Sequence, residues 1–267
     1  MRVFKGVIQV LDSRMVEPEL YGWFHIVCLA MMIIATIWLC KCGKKHSTVQ
    51  VRKVIFRTAM LVTILEIYKQ VNYTFILEEG TIVADYLWYA FPWQFCSMPM
   101  YVGLLCGIVQ KGKIQDSLCA FLSTYSIFAG LAVMLYPDSV FTEVIGINIQ
   151  TMVCHGSMVM IGIYLLYIGY VKIEIQTLTR ALPVFLVGIS AAMIMNEVAY
   201  RVGLLETDNF NMFMISPYLE STLPVYSTVQ KMVPYPWCLI GYVGGFTLAA
   251  GLVLGIAKFI KVQKRFQ

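Results

Sequence analysis

Charge is what this chain has least of. Only 13% of its 267 residues are Asp, Glu, Lys or Arg, against roughly 25% in soluble domains. That shortage excludes a water-soluble globular protein. No basic face stands outside the hydrophobic stretches, so nucleic acid is excluded as a partner. The net charge of +5 is read instead as attraction to anionic inner-leaflet lipid. Histidine is scarce as well, with three residues, and no metal or cofactor is expected. The eight cysteines make no disulfide framework. Cys28, Cys96, Cys106, Cys119, Cys154 and Cys238 fall in or at the edges of hydrophobic stretches, where a thiol behaves as a small apolar group. Cys40 and Cys42 stand on the side read as cytosolic, which is reducing. With His46 they form a Cys-x-Cys-x3-His string that matches no standard zinc spacing. Residues 1–15 lack a continuous apolar core and a small-residue cleavage site, so no signal peptide is expected. The last hydrophobic stretch has no interior lysine, only Lys258 near its end, which excludes a retinal-type photoreceptor.

Hydrophobic residues make up 59% of the chain, and the mean hydropathy is +0.74. Seven stretches, 20–40, 54–77, 86–109, 117–136, 149–171, 181–205 and 236–260, approach the ~20 residues that cross about 30 Å of hydrocarbon. The expected fold is all-α, a polytopic bundle of seven transmembrane helices in the cell membrane. Basic residues surround the first, third and fifth connections (Lys41, Lys44, Lys45, Arg52, Lys53, Arg57; Lys111, Lys113; Lys172, Arg180) and the end of the chain (Lys258, Lys261, Lys264, Arg265). Glu78, Glu79, Asp85, Asp138, Glu143, Glu206 and Asp208 mark the others. By the positive-inside rule the N-terminus is outside and the C-terminus cytosolic. Residues 20–267 form a single membrane domain. Residues 1–19 form an outer segment whose apolar positions (Val3, Phe4, Val7, Ile8, Leu11, Met15) recur at helical spacing. Such a helix lies on the membrane surface or packs against the bundle.

The first three stretches (20–109) are echoed by the last three (149–260), with 117–136 as a linker span. His25 answers to His155, Glu66 and Lys69 to Glu197 and Arg201, and Phe91-Pro92-Trp93 to Tyr235-Pro236-Trp237. This 3+1+3 order predicts a parallel repeat with a site between the copies. The second copy is lengthened by an outer connection over 206–235, long enough to serve as a lid.

A charge inside hydrocarbon costs at least about 2.5–3.5 kcal/mol on insertion scales and marks a functional site by default. At 1.5 Å per residue, His155 lies ~9 Å, Gln94 ~12 Å and Glu66 ~16 Å below the outer edge. Asn196 and Glu197 fall between, and Lys69 and Arg201 lie shallower. The expected binding residues are therefore His25, Glu66, Lys69, Gln94, His155, Asn196, Glu197 and Arg201, in a pocket opening outward. Glu66–Lys69 and Glu197–Arg201 can also neutralise themselves along one helix face, and the cations can snorkel to headgroups. Pro92 and Pro99, flanking Gln94, Cys96 and Ser97, are expected to break the third span.

Tyr21-Gly22-Trp23-Phe24-His25, Phe91-Pro92-Trp93-Gln94-Phe95-Cys96, Tyr136-Pro137-Asp138, Cys154-His155-Gly156, Asn209-Phe210 through Pro217, and Tyr235-Pro236-Trp237 follow one another in an order that resembles the YwaF-type integral membrane family. That family is itself similar to a human transmembrane protein implicated in lipid acyl transfer. The family's Leu-Pro-x-His-x-Cys string has Gln94 in the place of its His, and Trp93 stands where the human relative places its nucleophilic Cys. The resemblance implies membrane lipids as partners, with Cys96 as substitute nucleophile and His155 as general base. Three functions stay open: a carrier of a small polar or anionic solute, a lipid acyl-transfer enzyme, and a sensor or accessory subunit. The oligomeric state is left open.

Overall fold

Lipid offers no hydrogen bonds, so apolar chain must satisfy its backbone internally, and it does so here as helices. The computed structural model describes residues 2–78, 81–137, 139–207, 209–223 and 225–263. Glu79, Asp138, Asp208, Lys264 and Arg265, used above, lie outside them. In chain order the helices are α1 Arg2–Leu11, α2 Trp23–Gly43, α3 Thr48–Asn72, α4 Met98–Ile108, α5 Lys113–Leu122, α6 Tyr125–Leu135, α7 Ile145–Tyr167, α8 Ile175–Arg201, α9 Leu204–Thr207, α10 Tyr226–Met232 and α11 Tyr235–Gln263. Among the described residues one hairpin joins β1 Phe75–Glu78 to β2 Thr81–Ala84, antiparallel, with Phe75 opposite Ala84.

Among the described residues, five segments are long and apolar enough to cross a membrane: α2, α5 with α6, α7, α8 and α11. Helix α3 has the length, 25 residues, but carries Arg52, Lys53, Arg57, Glu66 and Lys69. Its start is set by Ser47, whose side chain accepts from the Gln50 amide while the Gln50 side chain accepts from Ser47 N–H. This reciprocal cap satisfies two orphan donors.

Three expected spans differ in detail. The stretch 54–77 stops being helical at Asn72, because the chain turns into the hairpin. The stretch 86–109 is α-helical only over Met98–Ile108; before it run two 3-10 turns, Trp88–Ala90 and Phe95–Ser97. Pro99 therefore does not break a helix. It sits in the first turn of α4, where its missing N–H costs nothing. The stretch 117–136 is divided at Ser123–Thr124, where Thr124 leaves helical geometry (φ −133°, ψ −86°).

Burial separates an interior from a rim. In α7 72% of the apolar window is inside the protein, in α11 only 17%. Helix α7 packs on α2, α3, α5 and α6. Glycine permits close approaches here: a Cβ at Gly130 of α6 would stand 2.7 Å from the His155 carbonyl oxygen. Rim helices instead turn Ile26, Ile34, Val187, Ile194, Leu248 and Leu252 outward, the surface lipid requires. Helix α1 docks on the bundle through buried Ile8 and through the Leu11 carbonyl, which accepts from Tyr68 Oη at 2.7 Å and Asn72 Nδ2 at 3.2 Å. Its Val7 and Val10 face out.

Candidate functional site

The polar residues that the sequence places in the outer half do not share one chamber. They fall into three groups.

The first is built on Glu66, a buried side chain of α3. Its Oε1 accepts from Lys69 Nζ at 2.9 Å and Gln70 Nε2 at 2.7 Å. Its Oε2 accepts from Gln150 Nε2 of α7 at 3.0 Å. Helical spacing brings Lys69 and Gln70 beneath the carboxylate; only Gln150 is remote in sequence. Gln70 is itself saturated: its amide also donates to the Ala90 carbonyl at 2.9 Å, and its oxygen accepts from Tyr86. The group is a neutral ion pair inside a hydrogen-bond shell, which is how a buried charge becomes tolerable. Beside it opens a cavity of about 350 Å³, bordered by Thr63, Glu66, Gln70, Pro92, Met100 and Tyr101, with Ile67 at its margin. The Tyr101 hydroxyl donates to the Pro92 carbonyl at 2.8 Å, so the non-helical turns before α4 form one wall. Most of the lining is carbon.

His155 is buried on α7 near this group. Its Nδ1 lies 2.7 Å from the Thr151 carbonyl. A carbonyl only accepts, so Nδ1 carries the proton and Nε2 presents a lone pair. That Nε2 is buried and has no partner. Cys96 borders a separate interior cavity of about 30 Å³ together with Cys154. No hydrogen bond joins the Cys96 thiol to the His155 ring among the described residues; the Cys96 carbonyl instead accepts from Cys154 Sγ at 3.9 Å.

The second group holds the outer loop. Asn196 of α8 is buried and grips Met212 twice, accepting from its N–H at 2.7 Å and donating to its carbonyl at 3.0 Å. Gln94 accepts from Phe213 N–H at 3.1 Å and donates to the Asn211 carbonyl at 3.3 Å. These bonds hold Phe213 and Met214 in the left-handed region, at φ 59° and 56°, a conformation costing of order 1–3 kcal/mol each in non-glycine residues. Phe213 is buried, with its ring against Phe95.

The third group lies at the surface. Arg201 Nε bonds Glu197 Oε1 at 2.7 Å, with side chains 75% and 40% exposed. Tyr218 donates to the other carboxylate oxygen and stacks on Tyr200. The phenol of Tyr218, in the loop, is pushed up chiefly by that bond to Glu197. His25 stands apart from all three. It is fully buried, with Nδ1 accepting from Tyr21 N–H at 3.0 Å and Nε2 facing the Met134 carbonyl at 2.8 Å. Both ring nitrogens are consumed in tying the start of α2 to the end of α6.

Sequence reasoning missed Gln70, Gln150, Tyr86 and Tyr101. Gln150 carried a signal, being an amide in a hydrophobic stretch a little over one turn before His155. The others became visible only when the 86–97 turns folded over α3.

Several helices long and apolar enough to cross a membrane, with aliphatic side chains turned outward, define a multi-pass helical membrane protein. Within that class the chain belongs to the TMEM164 family, whose match spans residues 20–255. No curated protein and no solved structure matches it.

Proposed function

We propose that this protein crosses the cell membrane seven times and binds an amphiphilic molecule, a lipid or lipid-like solute, from the outer leaflet. α3 and the segment through α4 would supply the two crossings beyond the five apolar ones, with the N-terminus outside. The observation that carries the reading is the cavity of about 350 Å³ whose walls are apolar and whose polar edge is the saturated Glu66 group. Its size falls at the lower end of the roughly 300–1,000 Å³ of small-molecule pockets. A freely soluble anion would find no unpaired cation there, since Lys69 is engaged by Glu66. A carrier for such an anion, working between two matched halves, would need Glu197 and Arg201 in the same chamber, and their side chains lie elsewhere. The parallel repeat is supported only by the placement of the two ion pairs in α3 and α8.

Acyl transfer on the bound lipid is the second reading. His155 favours it: a backbone carbonyl sets its tautomer and leaves its buried Nε2 without a partner, the state a general base requires. The YwaF-type resemblance, with its acyl-transfer relative, points the same way.

Binding of a fluorescent lysophospholipid to the purified protein tests the proposal. The expected result is saturable binding that Ile67→Trp, at the cavity margin, weakens about tenfold, or 1.4 kcal/mol. Acetate and phosphate are expected not to compete. Competition by either, or equal binding to Ile67→Trp, overturns it.

A further inference from the structure

The smaller cavity, of about 30 Å³, is distinguished by sulfur. Cys96 borders it from the 3-10 turn before α4, Met100 from the first turn of α4, and Cys154 and Met158 from α7. Cys154 and Met158 stand four apart on α7 and so share one helix face; Cys96 and Met100 have the same spacing but join a 3-10 turn to the first turn of α4. All four side chains border the same space. The same space is bordered by Ser126 and Ser157. Ser157 is engaged with the Cys154 carbonyl at 2.8 Å, but the Ser126 hydroxyl is fully buried and has no partner. An unpaired buried hydroxyl is costly and calls for an occupant. The volume exceeds the ~10–15 Å³ a single water needs, so a small ion fits.

The ligand set decides which ion. No carboxylate borders the cavity, which excludes hard divalent cations. Zinc takes thiolate, imidazole or carboxylate, not thioether. Among the described residues no three His, Cys, Asp or Glu side chains gather; here thioethers complete the group. Paired thiols and thioethers are the donors of a soft monovalent metal. We infer that Cys96, Met100, Cys154 and Met158 form a Cu(I) site in the membrane interior. On binding, one thiol gives its proton to solvent as its sulfur bonds the ion. One thiolate and one Cu(I) leave the cavity electrically neutral, which the low-dielectric surroundings require, and no electron is transferred. This site is distinct from the amphiphile cavity, with Met100 bordering both. It revises the expectation that the chain holds no metal.

The test is an anaerobic titration of the detergent-purified full-length protein with Cu(I) against a chromophoric Cu(I) chelator. The expected result is one Cu(I) per chain withheld from the chelator, with only sulfur neighbours by X-ray absorption. Cys96→Ser/Cys154→Ser is expected to lower the affinity by more than the roughly 10–100-fold that losing an outer-shell partner costs. Met100→Leu/Met158→Leu conserves volume and keeps the fold if the cysteine variant does not; it is expected to weaken binding at least about tenfold by removing two donors. Cys28→Ser/Cys42→Ser is expected to leave binding unchanged. No withheld Cu(I), or full retention in either the cysteine or the methionine variant, overturns the assignment. Ile67→Trp, which closes the amphiphile cavity, is expected to leave Cu(I) affinity intact, so failure of either proposal is visible without the other.

Discussion

Glu66 and His25 are both buried ionisable side chains, yet their partners assign them opposite roles. Glu66 touches a cavity, and each of its oxygens is served from a different direction. Removing it leaves Lys69 charged and two amides with unused donors. Breaking a buried pair in this way costs about 3–5 kcal/mol. Glu66→Ala is therefore expected to lower the melting temperature in detergent sharply. Glu66→Ala/Lys69→Ala is expected to recover part of the loss, and additive effects in that cycle would show that the pair is not coupled. His25 borders neither of the two cavities described. His25→Ala is expected to cost about 1–3 kcal/mol for its two lost hydrogen bonds and to leave lysophospholipid affinity unchanged. An affinity change would move His25 into the site. The sequence marked both residues by the same rule, that an ionisable group in hydrocarbon has a purpose. The rule does not distinguish holding a ligand from holding a helix, because the difference lies in which distant carbonyl the ring meets.

Helix positions were the most legible feature at the level of elements, since long apolar runs and basic flanks follow directly from the bilayer. What escaped was the hairpin after Asn72 and the extent of the non-helical turns before Met98. Those residues are as apolar as a span, but Pro92 and the tyrosines and tryptophans of 86–93 fold as tight turns whose carbonyls meet Gln70 and Tyr101. Composition cannot tell such a stretch from a helix. Interhelical glycines were similarly silent, as their meaning depends on the facing helix. At Gly130 the added methyl would meet the α7 backbone, so Gly130→Ala is expected to cost about 1–3 kcal/mol by overpacking. Gly255→Ala, where nothing stands within 4 Å, serves as the comparison and is expected to be neutral or slightly stabilising. Equal melting curves for the two would contradict the observed packing.

For the molecule as a whole, the proposed orientation places exposed Cys42 on the cytosolic face. A membrane-impermeant maleimide is expected to label it in inside-out vesicles and not in intact cells; the reverse pattern would invert the topology. The two-halves idea, readable as matched residues, meets a structure in which one ion pair is interior and the other surface-exposed. Charge order along a chain records pairing within a helix, whereas depth and neighbours are set by which helices become rim and which interior. The Glu66 group also bears on how the chain is made. Glu66 and Gln150 are 84 positions apart, so at 5–20 residues per second about 4–17 s of synthesis separate them. During that interval the carboxylate has only its helix-mates Lys69 and Gln70 for company. In the proposed seven-span arrangement those two side chains would act as escorts, letting α3 enter the lipid before its long-range partner exists, and a ribosome-stalled chain ending before α7 should lose α3 from the membrane when both are replaced by Leu.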